Sequence, residues 1–233
     1  MTNHRFHHYV GLADGTITME DVVWRSGICA LAWLLALAIS LPLDSPLAGW
    51  LHGVIPVAQW MGVFKVMKAP GHFLFTVTVA TALLLWHPWR WRAGALLCVS
   101  GIMSGLLSAL AKWGVGRIRP FKGVTPFSLS PFRNGIPGLF HAENLSFPSG
   151  HTCLAFATAA CCTRLLPRRR WAFFGGACVV GTERILQSSH YLGDVVAAAG
   201  LGVFSAHLTW WLCRKLCPTL RSIERPASGR SAW

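Results

Sequence analysis

The sequence predicts an all-α fold, a polytopic membrane helical bundle of about six transmembrane helices. Three observations carry that expectation. Of 233 residues, 53% are hydrophobic and only 12% charged, where a soluble domain carries roughly 25% charged residues. The apolar residues fall in runs near the length that spans a bilayer, about 20 residues. The Lys and Arg residues gather in short clusters between those runs, as topology signals do.

The first helix is expected over 23–43, with Pro42 and Asp44 marking its exit. Beyond it, Leu47, Trp50, Leu51, Val54 and Ile55 recur at helical spacing and Pro56 interrupts them. A short interfacial helix is expected across 45–62, with a re-entrant segment as the alternative. The second helix is expected over 71–86, with an extension back through Val66 open, and the third over 93–112. The fourth starts near Ser149 and ends before Pro167; the fifth covers 171–187 and the sixth 194–213. Residues 1–22 then form a cytoplasmic N-terminal segment, 23–215 the membrane domain, and 216–233 a cytoplasmic tail. The tail is rich in Ser, Arg, Pro and Gly and is expected to be disordered. The first two dozen residues are polar and no small-residue cleavage site follows the first apolar run, so that run is expected to stay as an anchor.

Orientation follows from the basic clusters. Arg90 and Arg92 lie between helices two and three, Arg168, Arg169 and Arg170 between four and five, and Arg214, Lys215 and Arg221 after six. With six spans these share one side with Arg5 and Arg25, and that side is expected to be cytoplasmic. Trp86, Trp89, Trp91 and Trp171 stand at the same boundaries, as interfacial anchors do. The outer loop between helices three and four breaks the pattern, because it faces outward yet holds Arg117, Arg119, Lys122 and Arg133. Positive charge there points to capture of an anion. The net charge of +13 has no basic-aromatic nucleic-acid pattern behind it, so no nucleic-acid partner is expected. The cysteines lie almost entirely in apolar runs without zinc-type pairing, so no metal or other cofactor is expected either.

Three segments converge on the outer face: Lys112 to Pro120, Pro148 to His151, and Arg184 to Asp194. A phosphoryl group in transfer spreads its charge over three oxygens, so its catalysis is mostly positioning and charge stabilisation. Lys112, Arg119 and Arg184 would supply that charge. A charge at membrane depth costs about 2.5 to 3.5 kcal/mol or more, so three near helix ends ask for a reason. Pro148 and Ser149 read as a helix start, whose free N–H groups at Ser149, Gly150 and His151 would point at an anion. Gly150 lets the backbone approach closely. His151 is placed to protonate a leaving oxygen. His190 and Asp194 stand four apart, as neighbours on one helical face do. A carboxylate holding one ring nitrogen leaves the other free to attack phosphorus.

The order Lys-x6-Arg-Pro, then Pro-Ser-Gly-His, then Arg-x5-His-x3-Asp resembles the phosphatidic acid phosphatase type 2 superfamily, which extends to vanadium haloperoxidases. Lys112, Arg119, Pro120, Pro148, Ser149, Gly150, His151, Arg184, His190 and Asp194 match its core positions. The family usually has Ser before the third-motif arginine, and this chain has Glu183. The resemblance implies a membrane enzyme that cleaves a lipid phosphate or diphosphate through a phosphohistidine, without metal. It assigns catalysis to His190, His151 and Asp194, and phosphate binding to Lys112, Arg119, Ser149, Gly150 and Arg184. Arg117 and Lys122 are candidate headgroup contacts, with Arg133 beside them. Lys65, Lys68 and His72 are weaker substrate candidates, and His141, Glu143 and Asn144 read as loop structure. The same motifs fit a lipid phosphotransferase, or a protein that binds a phospholipid without turning it over.

Overall fold

The computed structural model describes residues 19–86, 91–124, 127, 129–132 and 144–216. They form seven helices: α1 (Met19–Val54), α2 (Val57–Met67), α3 (Phe73–Trp86), α4 (Trp91–Val115), α5 (Gly150–Leu165), α6 (Arg170–Leu186) and α7 (Leu192–Leu216). The expected tail and the residues Arg133, His141 and Glu143 lie outside the described residues. The protein is an all-helical membrane protein. By length and composition, the segments Gly27–Val54, Ala93–Val115 and Leu192–Cys213 can each cross a bilayer. Helices α3, α5 and α6 are shorter, at 14, 16 and 17 residues.

The surface is apolar where a soluble protein would be polar. Leu31, Leu34, Leu35 and Ile39 on α1, Ile102 and Leu106 on α4, and Phe204 and Trp211 on α7 are all exposed. Contiguous exposed apolar area of this kind marks a lipid-facing belt.

Helix α5 stands at the centre, packed on α4, α6 and α7; α7 also packs on α1 and α4, and α3 flanks α4. Its sequence explains the position. Cys153, Ala155, Ala157, Thr158, Ala159, Ala160 and Cys162 are small and buried, and small residues let helix backbones approach in a membrane, where no hydrophobic drive joins them. A helix surrounded by protein also has no need of a strongly apolar surface. The Thr76 and Thr158 hydroxyls hydrogen-bond at 2.9 Å, tying α3 to α5.

The first helix departs from expectation. Neither Pro42 nor Asp44 ends it, and both lie inside α1. Membrane helices tolerate internal proline better than helices in water do. The Asp44 charge is neutralised by Arg117 at 2.7 Å rather than by leaving the membrane. The interfacial helix expected over 45–62 is accordingly split. Its first part completes α1, Pro56 breaks the chain, and α2 follows as a separate short helix with Phe64 buried and Trp60, Met61 and Val63 exposed. A short turn over Ala69–Gly71 precedes α3, so that helix does not reach back to Val66.

Close approach is enforced by glycine. A Cβ on Gly202 of α7 would collide with the Cys153 carbonyl of α5, and one on Gly200 with the Trp33 indole of α1. The same indole donates to the Val196 carbonyl at 2.8 Å. Replacing Gly202 by Val is expected to cost about 1–3 kcal/mol of overpacking, read as a drop of several degrees in the unfolding midpoint in detergent. Gly49→Val, where nothing lies within 4 Å of the new Cβ, should leave the midpoint unchanged.

Candidate active site

Three backbone hydrogen bonds draw the three motif segments into a triangle. Ser146 N donates to Arg117 O at 2.7 Å, Ser149 N to Asp194 O at 3.2 Å, and Phe121 N to Ser188 O at 3.1 Å. An isolated antiparallel bridge, Ile118 to Leu145, reinforces the first side. The site therefore lies where α4 and α6 end and α5 and α7 begin. Arg168 to Arg170 follow the far end of α5, about 24 Å along a helix of 16 residues.

The third motif owes its spacing to a helix stop. Ser189 N bonds Arg184 O at 3.1 Å and Ser188 N bonds Ile185 O at 2.9 Å. That is the Schellman pattern, whose residue after the C-cap takes left-handed geometry; Ser188 has φ of 55°. His190 N reaches the same Arg184 carbonyl at 3.1 Å. The turn thus swings His190 back under the end of α6. His190 and Asp194 do not share a helical face, because His190 precedes α7 and Asp194 is in its first turn. Asp194 Oδ2 instead accepts from Tyr191 N at 2.8 Å, the backward half of a capping box.

A cleft of about 620 Å³ opens at this junction. Lys112, Arg119, Gly150, His151 and His190 line its polar end, and Phe73, Gly101, Ile102, Gly105 and Leu154 its apolar end, with Gly71, His72, Ser108 and Ala109 between. Lys112 Nζ donates to the carbonyls of Leu145 at 3.1 Å and Ser146 at 3.4 Å. Arg119 Nε donates to the same Leu145 carbonyl at 3.2 Å. One carbonyl therefore gathers both cations. Ser149 is the N-cap of α5, and its oxygen accepts from the Thr152 hydroxyl at 2.9 Å. The Ser149 N–H is engaged by Asp194, so the free first-turn donors are those of Gly150 and His151. The His72 ring meets the His151 ring edge-on with centroids 4.7 Å apart, making His72 a lining residue that the sequence placed low.

His190 is almost wholly buried, and its Nδ1 lies 3.7 Å from Asp194 Oδ2. That is too long for a hydrogen bond, though pairs of this kind commonly tighten in the substrate complex. It leaves Nε2 as the nitrogen for the cleft. Burial above all holds the imidazole pKa down, to about 3; nearby Asp194 opposes this, and the charges of Lys112 and Arg119 add to it. At neutral pH the ring is uncharged, the state a nucleophile needs.

Arg117 is not a headgroup contact. It is fully buried, and one guanidinium nitrogen bonds Asp44 Oδ2 at 2.7 Å and Asp194 Oδ1 at 2.9 Å. Its guanidinium carbon lies 3.7 Å from the centre of the Tyr191 ring. Asp44 Oδ1 in turn accepts from Gly193 N at 2.6 Å, and Asp194 Oδ2 accepts from the Ser146 hydroxyl. Asp44 and Ser146 thus belong to the site although the sequence reading passed them over. An acid inside an apolar run was the available signal for Asp44. Lys122 is exposed in the turn Pro120–Lys122 and does not line the cleft. Arg184 does not line it either, since Glu183 takes its Nε and Nη2 and Gln187 its Nη2 at 2.6 Å. Lys65 and Asn144 are exposed and Lys68 half-buried, all outside the cleft. Among the described residues no three His, Cys, Asp or Glu side chains come together as a metal-binding set.

The PAP2 superfamily model matches residues 93–216, more than half of the chain. The chain belongs to the PAP2 superfamily. It is 32% identical to a lipid A 1-phosphatase of Rhizobium etli over 68% of this chain and 71% of that protein. Its fold resembles that of Aquifex aeolicus LpxE, with a TM-score of 0.54 at 19% identity, covering 72% of this chain and 95% of that one. It also resembles a transmembrane PAP2-type phosphatidylglycerolphosphate phosphatase of Bacillus subtilis, with a TM-score of 0.56 at 20% identity over 80% and 94% of the two chains.

Two outcomes test the buried charges. Arg117→Met leaves two carboxylates unpaired and should cost about 3–5 kcal/mol, read from unfolding in detergent. Combined with Asp44→Asn it should cost less than the sum of the single changes, since the two share one interaction. The second concerns pH. Unfolded His190 takes up a proton near pH 6.5 and the folded residue only near 3, so between these values the unfolded state binds more protons. Stability should therefore rise with pH across that window, by up to about 1.4 kcal/mol per unit. In His190→Asn the unfolding midpoint should follow pH less steeply.

Proposed function

We propose that the protein is an integral membrane phosphatase that hydrolyses a lipid phosphate or diphosphate through a phosphohistidine, without metal, at a site facing the periplasm or outside. The termini are cytoplasmic in this reading. The observation that carries it is the cleft itself, where two histidines, a lysine and an arginine line one end and lipid-type apolar residues the other.

The phosphate enters between Lys112, Arg119 and the free N–H groups at the start of α5. Positive groups and helix-start donors together stabilise the charge of the transferring group. His190 Nε2 attacks phosphorus while the bond to the lipid oxygen breaks. His151, protonated once the negative charge of the bound phosphate lies beside it, gives that proton to the oxygen, and the lipid alcohol or monophosphate leaves. Water then attacks the phosphohistidine, His151 takes the water proton, and phosphate is released with His190 restored. Asp194 steadies the ring through Nδ1 and is itself held by Arg117, Ser146 and Tyr191 N. Arg184 acts from beside the site, with Glu183 on its donors. The relative named lipid A 1-phosphatase puts lipid A 1-phosphate first among substrates to test. Prenyl diphosphates, phosphatidate and phosphatidylglycerophosphate follow.

Purified enzyme in detergent should release phosphate from one of these lipids with EDTA present. His190→Ala should lose nearly all turnover, and His151→Ala about 10²- to 10⁴-fold. A brief reaction with labelled substrate should leave acid-labile label on His190. Wild-type turnover in His190→Ala would remove it as the nucleophile.

A further inference from the structure

Ser108 sits in α4 one turn before Lys112 and lines the cleft. It is only 2% exposed, yet its hydroxyl has no hydrogen-bond partner among the described residues. Ser100 in the same helix is also buried and unpartnered, but it does not line the cleft. Three other buried helix serines do find a partner. Ser40, Ser104 and Ser205 each donate to the carbonyl three residues back, at 2.8 to 2.9 Å. Such back-bonding is the ordinary refuge of a helical hydroxyl. A buried polar group without a partner is costly, and in a native protein it asks for an explanation.

Its surroundings supply one. The Ser108 oxygen lies 3.6 Å from where a Cβ on Gly150 would stand, so it abuts the N-terminus of α5. On the other side the cleft continues along Gly105, Gly101, Ile102 and Leu154, which offer no hydrogen-bonding side chain. Ser108 therefore marks the boundary between the phosphate end and the hydrocarbon end. The substrate atoms reaching this boundary are the first ones of the leaving group beyond the scissile phosphate.

We propose that Ser108 is a specificity-determining residue whose hydroxyl hydrogen-bonds an oxygen of the leaving group adjacent to the scissile phosphate. The preferred substrate then carries such an oxygen, from a sugar, a glycerol ester or a second phosphate, before its hydrocarbon begins. The proposal rests on the phosphatase reading above. A plain alkyl phosphate has no such oxygen beyond the scissile ester and gains nothing from Ser108.

The test compares Ser108→Ala and Ser108→Thr with the wild type. The probes are dodecyl phosphate and the best-hydrolysed of lipid A, phosphatidate and farnesyl diphosphate. Ser108→Ala should lower kcat/KM about tenfold on the oxygen-bearing lipid, the size of one hydrogen bond to a buried partner. On dodecyl phosphate it should change less than twofold, and inhibition by vanadate should stay the same. Ser108→Thr should restore much of the loss. An equal loss on both substrates, or none on either, overturns the proposal. A wild-type enzyme that hydrolyses none of the probes instead overturns the phosphatase reading, and this proposal with it. Alanine suits a helix interior, and unchanged unfolding midpoints in all three proteins separate loss of contact from loss of fold.

Discussion

Two carboxylates at membrane depth share one guanidinium, and the arrangement of the site depends on it. Asp44, Arg117 and Asp194 are all fully buried, with Arg117 2.7 Å from one acid and 2.9 Å from the other. An isolated charge in such surroundings is prohibitive, so each member is retained only because the others are there. Asp44 comes from α1, Arg117 from the segment after α4, and Asp194 from α7. The pairing therefore fixes three elements against each other at the level of the reacting groups. It also draws α1, which carries no motif residue, into the support of Asp194 and the His190 beside it.

Backbone geometry does the remaining positioning. The Schellman turn at the end of α6 places His190 six residues beyond Arg184 and under the helix end. The Asp194 side chain closes the start of α7 through Tyr191 N. His190 is thus gripped by one helix stop and one helix start, neither of which depends on substrate. Lys112 and Arg119 are held in the same way, each on the Leu145 carbonyl. Electrostatic catalysis requires groups oriented before charge develops, and here the orienting contacts are made by the protein itself.

What was legible in the sequence followed from chemistry that tolerates few residue types. Phosphate capture needs fixed cations, and Lys112, Arg119, His151 and His190 do line one cleft. The bundle was legible because lipid demands apolar runs of fixed length. Three features were not. Proline breaks a helix in water but not inside a bilayer, so α1 runs on past Pro42 to Val54. Arg117 looked like a loop cation because its partner Asp44 lies 73 positions away in the chain. Arg184 read as a phosphate ligand, and in the structure its Nε and Nη2 are taken by Glu183 and Gln187, close to it in sequence. Partnership between charges is a property of the fold, and a list of charges does not contain it.

The cleft also constrains what the substrate must be. Its polar end holds fixed positive charge, and the cost of keeping that charge in an apolar protein is offset when an anion arrives. Its other end is walled by Phe73, Ile102 and Leu154 and floored by glycines, and it gains most from hydrocarbon, at about 25 cal/mol per Å² buried. A soluble phosphate ester would satisfy the first end and leave the second wet. A neutral lipid would fill the second and leave Lys112 and Arg119 without their counter-charge. Only a molecule joining phosphate to an apolar chain satisfies both at once, which makes the two ends of one cleft the physical ground for placing the substrate among lipid phosphates.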